Sequence, residues 1–193
     1  MNSVSDPGAA RPQVKILVAG GFGAGKTTMV GSLSEITPLT TEETLTQAGE
    51  GVDRLDGVER KSTTTVAMDF GRITLDVGTV LLFGTPGQDR FWFMWRDLVE
   101  GALGAILLAD SRRLADAFPA ADFFDSRRVP YVVAVNCFDG RQDYTTAQIA
   151  EALQLDPDTP VLLCDARRSE TTRDVLLALM THCIDRVQQP AHT

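Results

Sequence analysis

The clearest chemistry in the chain lies in eight residues, Gly20-Gly21-Phe22-Gly23-Ala24-Gly25-Lys26-Thr27, which follow the spacing G-x-x-x-x-G-K-[ST]. Glycines let a backbone curl until successive N–H groups converge on an anion, and a helix starting directly afterwards adds its positive end. In such a P-loop Lys26 reaches the β- and γ-phosphates of a nucleotide, and the Thr27 hydroxyl ligates Mg2+. The backbone of Gly21, Phe22, Gly23, Ala24 and Gly25, with Thr28 just inside the helix, lines the phosphates. The motif alone separates neither ATP from GTP nor a kinase from a switch.

Later segments bear on the base and the γ-phosphate. Asn136-Cys137-Phe138-Asp139 resembles the N-K-x-D base-reading motif of small GTPases, although the same residues also suit an ordinary turn. In that resemblance Asp139 accepts both the N1–H and N2–H of guanine, a pattern adenine cannot offer. Thr85-Pro86-Gly87-Gln88 resembles the end of the D-x-x-G-Q switch II motif, so that Gly87 gives its N–H to the γ-phosphate and Gln88 orients the attacking water. Thr65–Phe70 resembles the T-x-x-x-D-F of Rab-like switch I segments, which makes Thr65 the Mg2+-sensing threonine. Cys164-Asp165-Ala166-Arg167 resembles S-A-K, with the Ala166 N–H meeting guanine O6 and Asp165 and Arg167 beside it.

These segments span residues 13 to 188 in the order of the Ras-like fold. The chain resembles bacterial Ras-like small GTPases, and more closely the conservon (CvnD-like) family, whose shared motifs stand here as Gly20–Thr28, Thr63–Gly71, Gly84–Gln88 and Asn136–Asp139. The motility GTPase MglA is a more distant likeness. The resemblance implies GTP/GDP and Mg2+ as ligands and Lys26 and Gln88 as catalytic residues. It also implies a roadblock-type regulator or sensor-kinase-like protein as partner.

The chain departs from that pattern in three places. Gly84 stands where switch II normally carries the Asp that holds a Mg2+-bound water, and Asp69 on the neighbouring strand is the candidate replacement, giving Thr27, Thr65 and Asp69 as the metal set. Phe22 stands where Ras-like proteins usually have Gly; its ring is expected to crowd the γ-phosphate side and slow hydrolysis. Cys137 replaces a lysine whose stem packs over the base and braces the P-loop. A cis arginine from Arg54, Arg60 or Arg72 is a further candidate.

The elements that must position these residues follow from periodicity. Short apolar strands are predicted at Val14–Ala19, Thr65–Leu75, Thr79–Phe83, Leu103–Ala109, Tyr131–Val135 and Val161–Cys164. Helices are predicted near 25–34, 89–100, 114–127, 145–153 and 171–188. Their alternation gives an α/β fold, a six-stranded, mostly parallel sheet with one antiparallel edge strand and about five helices on its two faces. One domain over 13–188 is expected, with a loose tail at 1–12, a short one at 189–193 and a long functional loop over 35–62. Phe91-Trp92-Phe93-Met94-Trp95 puts five apolar residues round a helix that advances about 100° per residue, so one buried face cannot hide them all. Some of them are expected to form an exposed partner patch that changes with the nucleotide.

Composition limits the function classes. The 193 residues carry 18 Lys+Arg against 26 Asp+Glu, a net charge of −8, which counts against an electrostatic nucleic-acid binder. Three widely spaced cysteines favour a reducing compartment over a disulfide framework. No apolar run has membrane-spanning length, and neither terminus carries a signal or lipidation motif, so a cytoplasmic protein is expected, recruited to a membrane only by a partner. Two rivals stay open here. One is an ATP-using small-molecule kinase, with Arg112, Arg113, Arg127 and Arg128 as lid arginines. The other is a non-hydrolysing scaffold.

Overall fold

The period-two alternation of apolar residues sets which way each strand faces. In β1 (Gln13–Ala19), Ile16 and Val18 bury on one side of the sheet and Leu17 and Ala19 on the other. In β5 (Ala102–Ala109), Ile106 and Leu108 oppose Ala105, Leu107 and Ala109, and β6 (Tyr131–Asn136) repeats the pattern. Strands apolar on both faces belong inside a parallel sheet covered by helices. The computed structural model, which describes residues 11–47, 62–87, 92–141 and 143–188, has that architecture.

The sheet order is β2-β3-β4-β1-β5-β6-β7. Strands β4 (Gly78–Gly84), β1, β5, β6 and β7 (Val161–Cys164) run parallel, whereas β2 (Leu39–Gln47) and β3 (Ser62–Leu75) pair antiparallel at one edge. One face is covered by α1 (Lys26–Leu33) and α5 (Ser169–Gln188), the other by α2 (Trp92–Val99), α3 (Phe118–Ser126) and α4 (Thr146–Ala152).

All six expected strands and all five helices are present. Two expectations need correction. Part of the expected 35–62 loop is a seventh strand, β2, which the sequence hides because its pairing with β3 is a backbone matter and Leu39–Gln47 has no apolar alternation. The helix expected over 114–127 is divided into a 3-10 segment, Ser111–Ala117, and α3, with Pro119 in the first turn of α3. Proline suits a helix start and resists an interior position. Residues 1–10 and 189–193, most of the expected tails, lie outside the described residues, while the Pro12 carbonyl already accepts the Thr79 N–H at 2.9 Å.

The aromatic run at 91–95 is divided by α2. Phe93 is 53% exposed. Trp95 is not part of the expected patch: it is 2% exposed, stacks on Phe124 with ring centroids 5.8 Å apart, meets Phe123 edge-on, and donates its indole N–H to the Pro86 carbonyl at 3.4 Å. The helical step turns residue 95 toward α3, where aromatic partners wait. Phe91 and the Trp92 side chain lie outside the described residues. Replacing Trp95 with Ala is therefore expected to destabilise the fold by about 3–5 kcal/mol. Phe93→Ser should change stability by less than about 0.5 kcal/mol; denaturant titration of both variants checks the contrast.

Candidate nucleotide site

The five parallel strands end at one edge of the sheet, the edge where α/β proteins place ligands. There the P-loop follows β1, Thr85–Gly87 follow β4, Asp110 follows β5, Cys137–Gly140 follow β6 and Asp165–Arg168 follow β7. Gly25, the residue just before α1, adopts φ 106°, and a Cβ on it would lie 2.6 Å from Asn136 Nδ2. Only glycine meets both conditions.

Lys26 donates from Nζ to the Gly20 carbonyl at 2.9 Å and to the Gly21 carbonyl at 2.8 Å. An ammonium has three protons, so one donor is left for a phosphate. Burial lowers the Lys26 pKa to about 8, with Asp69 pulling it back up. Phosphate favours the charged amine, so binding above pH 8 must take up a proton. Nucleotide affinity should be flat below about pH 8 and weaken above it, by at most about tenfold per pH unit. Affinity titrations on both sides of that pH, with calorimetry in buffers of different ionisation enthalpy, check the sign.

The Thr27 hydroxyl lies at the mouth of the loop and donates to Asp69 Oδ2 at 2.6 Å, and Asp69 is itself 9% exposed. Asp69 pairs in register with Gly84, and a Cβ at Gly84 would fall 3.0 Å from the Asp69 Cβ and 3.1 Å from its Oδ2. The Asp69 carboxylate thus occupies the space into which a residue-84 side chain would project. Gly87 closes over the loop, where a Cβ would come within 2.5 Å of Lys26 Nζ. Thr28 is exposed on the first turn of α1. Phe22 is 65% exposed and, with Gly21, Pro86, Gly87, Trp95 and Asp116, helps line a cavity of about 470 Å3. Gln88 lies outside the described residues; Thr65 is placed on β3 opposite Thr44, but its side chain also lies outside them.

The end of the site expected to take the base is organised by Asn136, which is 4% exposed. Its Nδ2 donates to the Ala24 carbonyl at 3.0 Å, and its Oδ1 accepts the Ala166 N–H at 3.1 Å. One side chain therefore joins the P-loop to the loop after β7. The Ala166 N–H, expected at guanine O6, is aimed at Asn136 by the short connection from β7 to α5. Beyond Asn136 the chain turns through Asp139, at φ 56° and ψ 29°, in the left-handed region that Asp tolerates. Its carboxylate stands in solvent, 84% exposed, with Arg167 Nη1 at 3.5 Å. Arg167 is held chiefly by Asp165 at 2.9 Å, and those hydrogen bonds lower the Asp165 pKa to about 2. Ser111, Arg112, Asn136, Phe138 and Asp139 border a second cavity of about 440 Å3. Cys137, in place of the bracing lysine, has its thiol pKa raised by burial and places Sγ 3.7 Å from the Val135 carbonyl.

Of the candidate cis arginines, Arg72 is held by Glu35 at 3.0 Å; Arg54 and Arg60 lie outside the described residues. Sequence reasoning missed Asp110 and weighed Arg112 and Arg113 only as lid arginines of a kinase or as solvated helix charge. The available signal was an aspartate directly after an apolar strand at the ligand edge. That aspartate is 4% exposed and accepts from Arg112 at 2.8 and 2.7 Å.

A family model described as "conserved hypothetical ATP binding protein" matches residues 18–186. The uncharacterized protein MJ1339 of Methanocaldococcus jannaschii is 28% identical over 131 residues, covering 67% of this chain and 73% of that protein. Among solved structures, the G domain of the T. maritima FeoB iron transporter superposes with a TM-score of 0.61 at 18% identity, over 89% of this chain and 99% of that one. The FeoB G domain from Methanococcus jannaschii gives 0.59 at 14% identity, over 90% and 99%. At such identities the likeness is one of fold, that of a P-loop G domain.

Proposed function

The chain belongs to the conserved hypothetical ATP-binding protein family, and from that premise we propose that it is a GTP-binding molecular switch that hydrolyses GTP slowly with Mg2+. The observation that carries the choice of base is the Asn136 bridge with Asp139 beyond it. Asn136 locks the P-loop to the base loops, and Asp139 presents an open carboxylate suited to two donors on one base edge. Guanine offers N1–H and N2–H together, whereas adenine does not. The ATP reading is favoured by the family's description alone.

In this reading the P-loop amides and Lys26 hold the phosphates. Thr27 and Asp69 would hold Mg2+, which would supply neutralisation of phosphate charge. The two oxygens fit a hard cation: Thr27 Oγ1 and Asp69 Oδ2 lie 2.6 Å apart at the loop's mouth, where the carboxylate replaces the one absent at Gly84. Thr65 and Gly87 sense the γ-phosphate and Gln88 positions water. Phe22 narrows the approach to the γ-phosphate, which supports a slow rate. The motifs at Thr63–Gly71 and Gly84–Gln88 support a conservon-type role, with a roadblock-type or sensor-kinase-like partner meeting the switch segments and Phe93. No helix among the described residues is long and apolar enough to cross a membrane, in keeping with a cytoplasmic switch brought to a membrane only by its partner.

Competition binding of GTP, GDP and ATP with Mg2+ tests the base. Guanine preference is expected, and Asp139→Asn should weaken guanine binding by about 1.5–3 kcal/mol, the worth of hydrogen bonds to a charged group. Indifference to Asp139 together with ATP preference would overturn the GTP reading. For the metal, Asp69→Ala should raise the Mg2+ concentration needed for tight nucleotide binding by about 10–100-fold. Adding Gly84→Asp to that variant should recover part of the loss, since it returns a carboxylate to the vacated space.

A further inference from the structure

A loop that grips phosphate through its N–H groups must have its carbonyls held away from the ligand. Lys26 holds the Gly20 and Gly21 carbonyls, Asn136 holds that of Ala24, and the Met29 N–H takes that of Gly25. The carbonyl of Phe22, at the exposed apex, is taken by Arg113, whose Nη2 donates to it at 2.5 Å. Arg113 reaches the loop because the 3-10 segment breaks there, at φ −142° and ψ 52°.

The rest of the Arg113 guanidinium is also engaged. Nε lies 3.9 Å from Asp110 Oδ2, and Nη1 lies 3.6 Å from Asp116 Oδ2. Every nitrogen thus faces a protein acceptor, the geometry of a fixed clamp and not of an arginine free to meet a phosphate. Asp110 is buried and holds Arg112 by two side-chain hydrogen bonds, and the Arg112 guanidinium carbon lies 3.9 Å from the centre of the Phe138 ring in the base loop. A single buried carboxylate therefore anchors two arginines, one on the P-loop apex and one on the base loop.

We propose that Asp110, Arg112 and Arg113 form a brace that fixes the P-loop apex against the base loop, with Arg113 a positioning residue for nucleotide binding. The brace supplies from β5 the cationic tie that Cys137 cannot supply from β6. This inference rests on the nucleotide-site reading, whichever base is bound. With its nitrogens on protein acceptors, Arg113 acts through the loop, by keeping the amides of residues 21–23 turned inward.

The test is stopped-flow dissociation of fluorescent GDP and ADP analogues from wild type, Arg113→Ala and Arg113→Lys, with the melting temperature of each nucleotide-free protein. Arg113→Ala should speed dissociation about tenfold or more, as expected for a lost hydrogen bond from a charged donor. Its melting temperature should stay that of wild type, and Arg113→Lys should recover part of the rate by keeping one donor on the Phe22 carbonyl. Dissociation within twofold of wild type, or faster dissociation that only tracks a lowered melting temperature, overturns the brace. If wild type binds neither analogue, it is the nucleotide reading that fails. Hydrogen exchange at the amides of residues 21–23 then decides the brace, which requires faster exchange in Arg113→Ala and is overturned by equal exchange.

Discussion

A phosphate loop is held in shape by what its carbonyls do. Amides that face an anion leave the carbonyls of the same peptides pointing outward, where each must find a donor or water. In this chain the donors come from three separate elements: Lys26 at the start of α1, Asn136 at the end of β6 and Arg113 after β5. The parallel sheet delivers all three, since β1, β5 and β6 are adjacent and end at the same edge. The apolar core matters to function mainly through that alignment. A slip in β6 would carry Asn136 away from Ala24 and leave a buried carbonyl and a buried N–H without partners.

The same reasoning explains how a carboxylate can move between strands without leaving its place in space. Asp69 and Gly84 are directly paired across β3 and β4, and the antiparallel ladder brings paired residues close. A carboxylate on either strand can reach the Thr27 hydroxyl. Placing it on β3 puts it four residues from Thr65 along one strand. The missing side chain at Gly84 leaves the space open for it.

Much of this was legible in the sequence. The P-loop could be read because its glycines, lysine and threonine are demanded by local backbone geometry, and the strands because burial on both faces leaves unbroken apolar runs. Asp69 could be matched to the gap at Gly84 because it lies on the neighbouring strand of the hairpin. What could not be read were the contacts made across the fold. Trp95 looked like a patch residue until α3 supplied Phe123 and Phe124. Arg113 looked like solvated charge because nothing local shows that the chain breaks after Asp110 and aims a guanidinium at a loop 91 residues away. Strand β2 was hidden since its pattern is polar and its partner supplies the order.

The length of β3 has one more consequence. Its residues Asp69 and Phe70 pair on both sides, with β2 and β4, and Gly71–Leu75 pair with β4, but Ser62–Met68 run on past Gly84 and, among the described residues, pair with β2 alone. That overhang is a two-stranded ribbon whose far side offers a row of backbone donors and acceptors, the kind of edge through which copies of a protein stick to one another. With a net charge of −8 on 193 residues, each copy repels the next. The acidity that first argued against nucleic acid therefore also guards an open sheet edge, keeping it for contacts that bring the opposite charge or a matching strand.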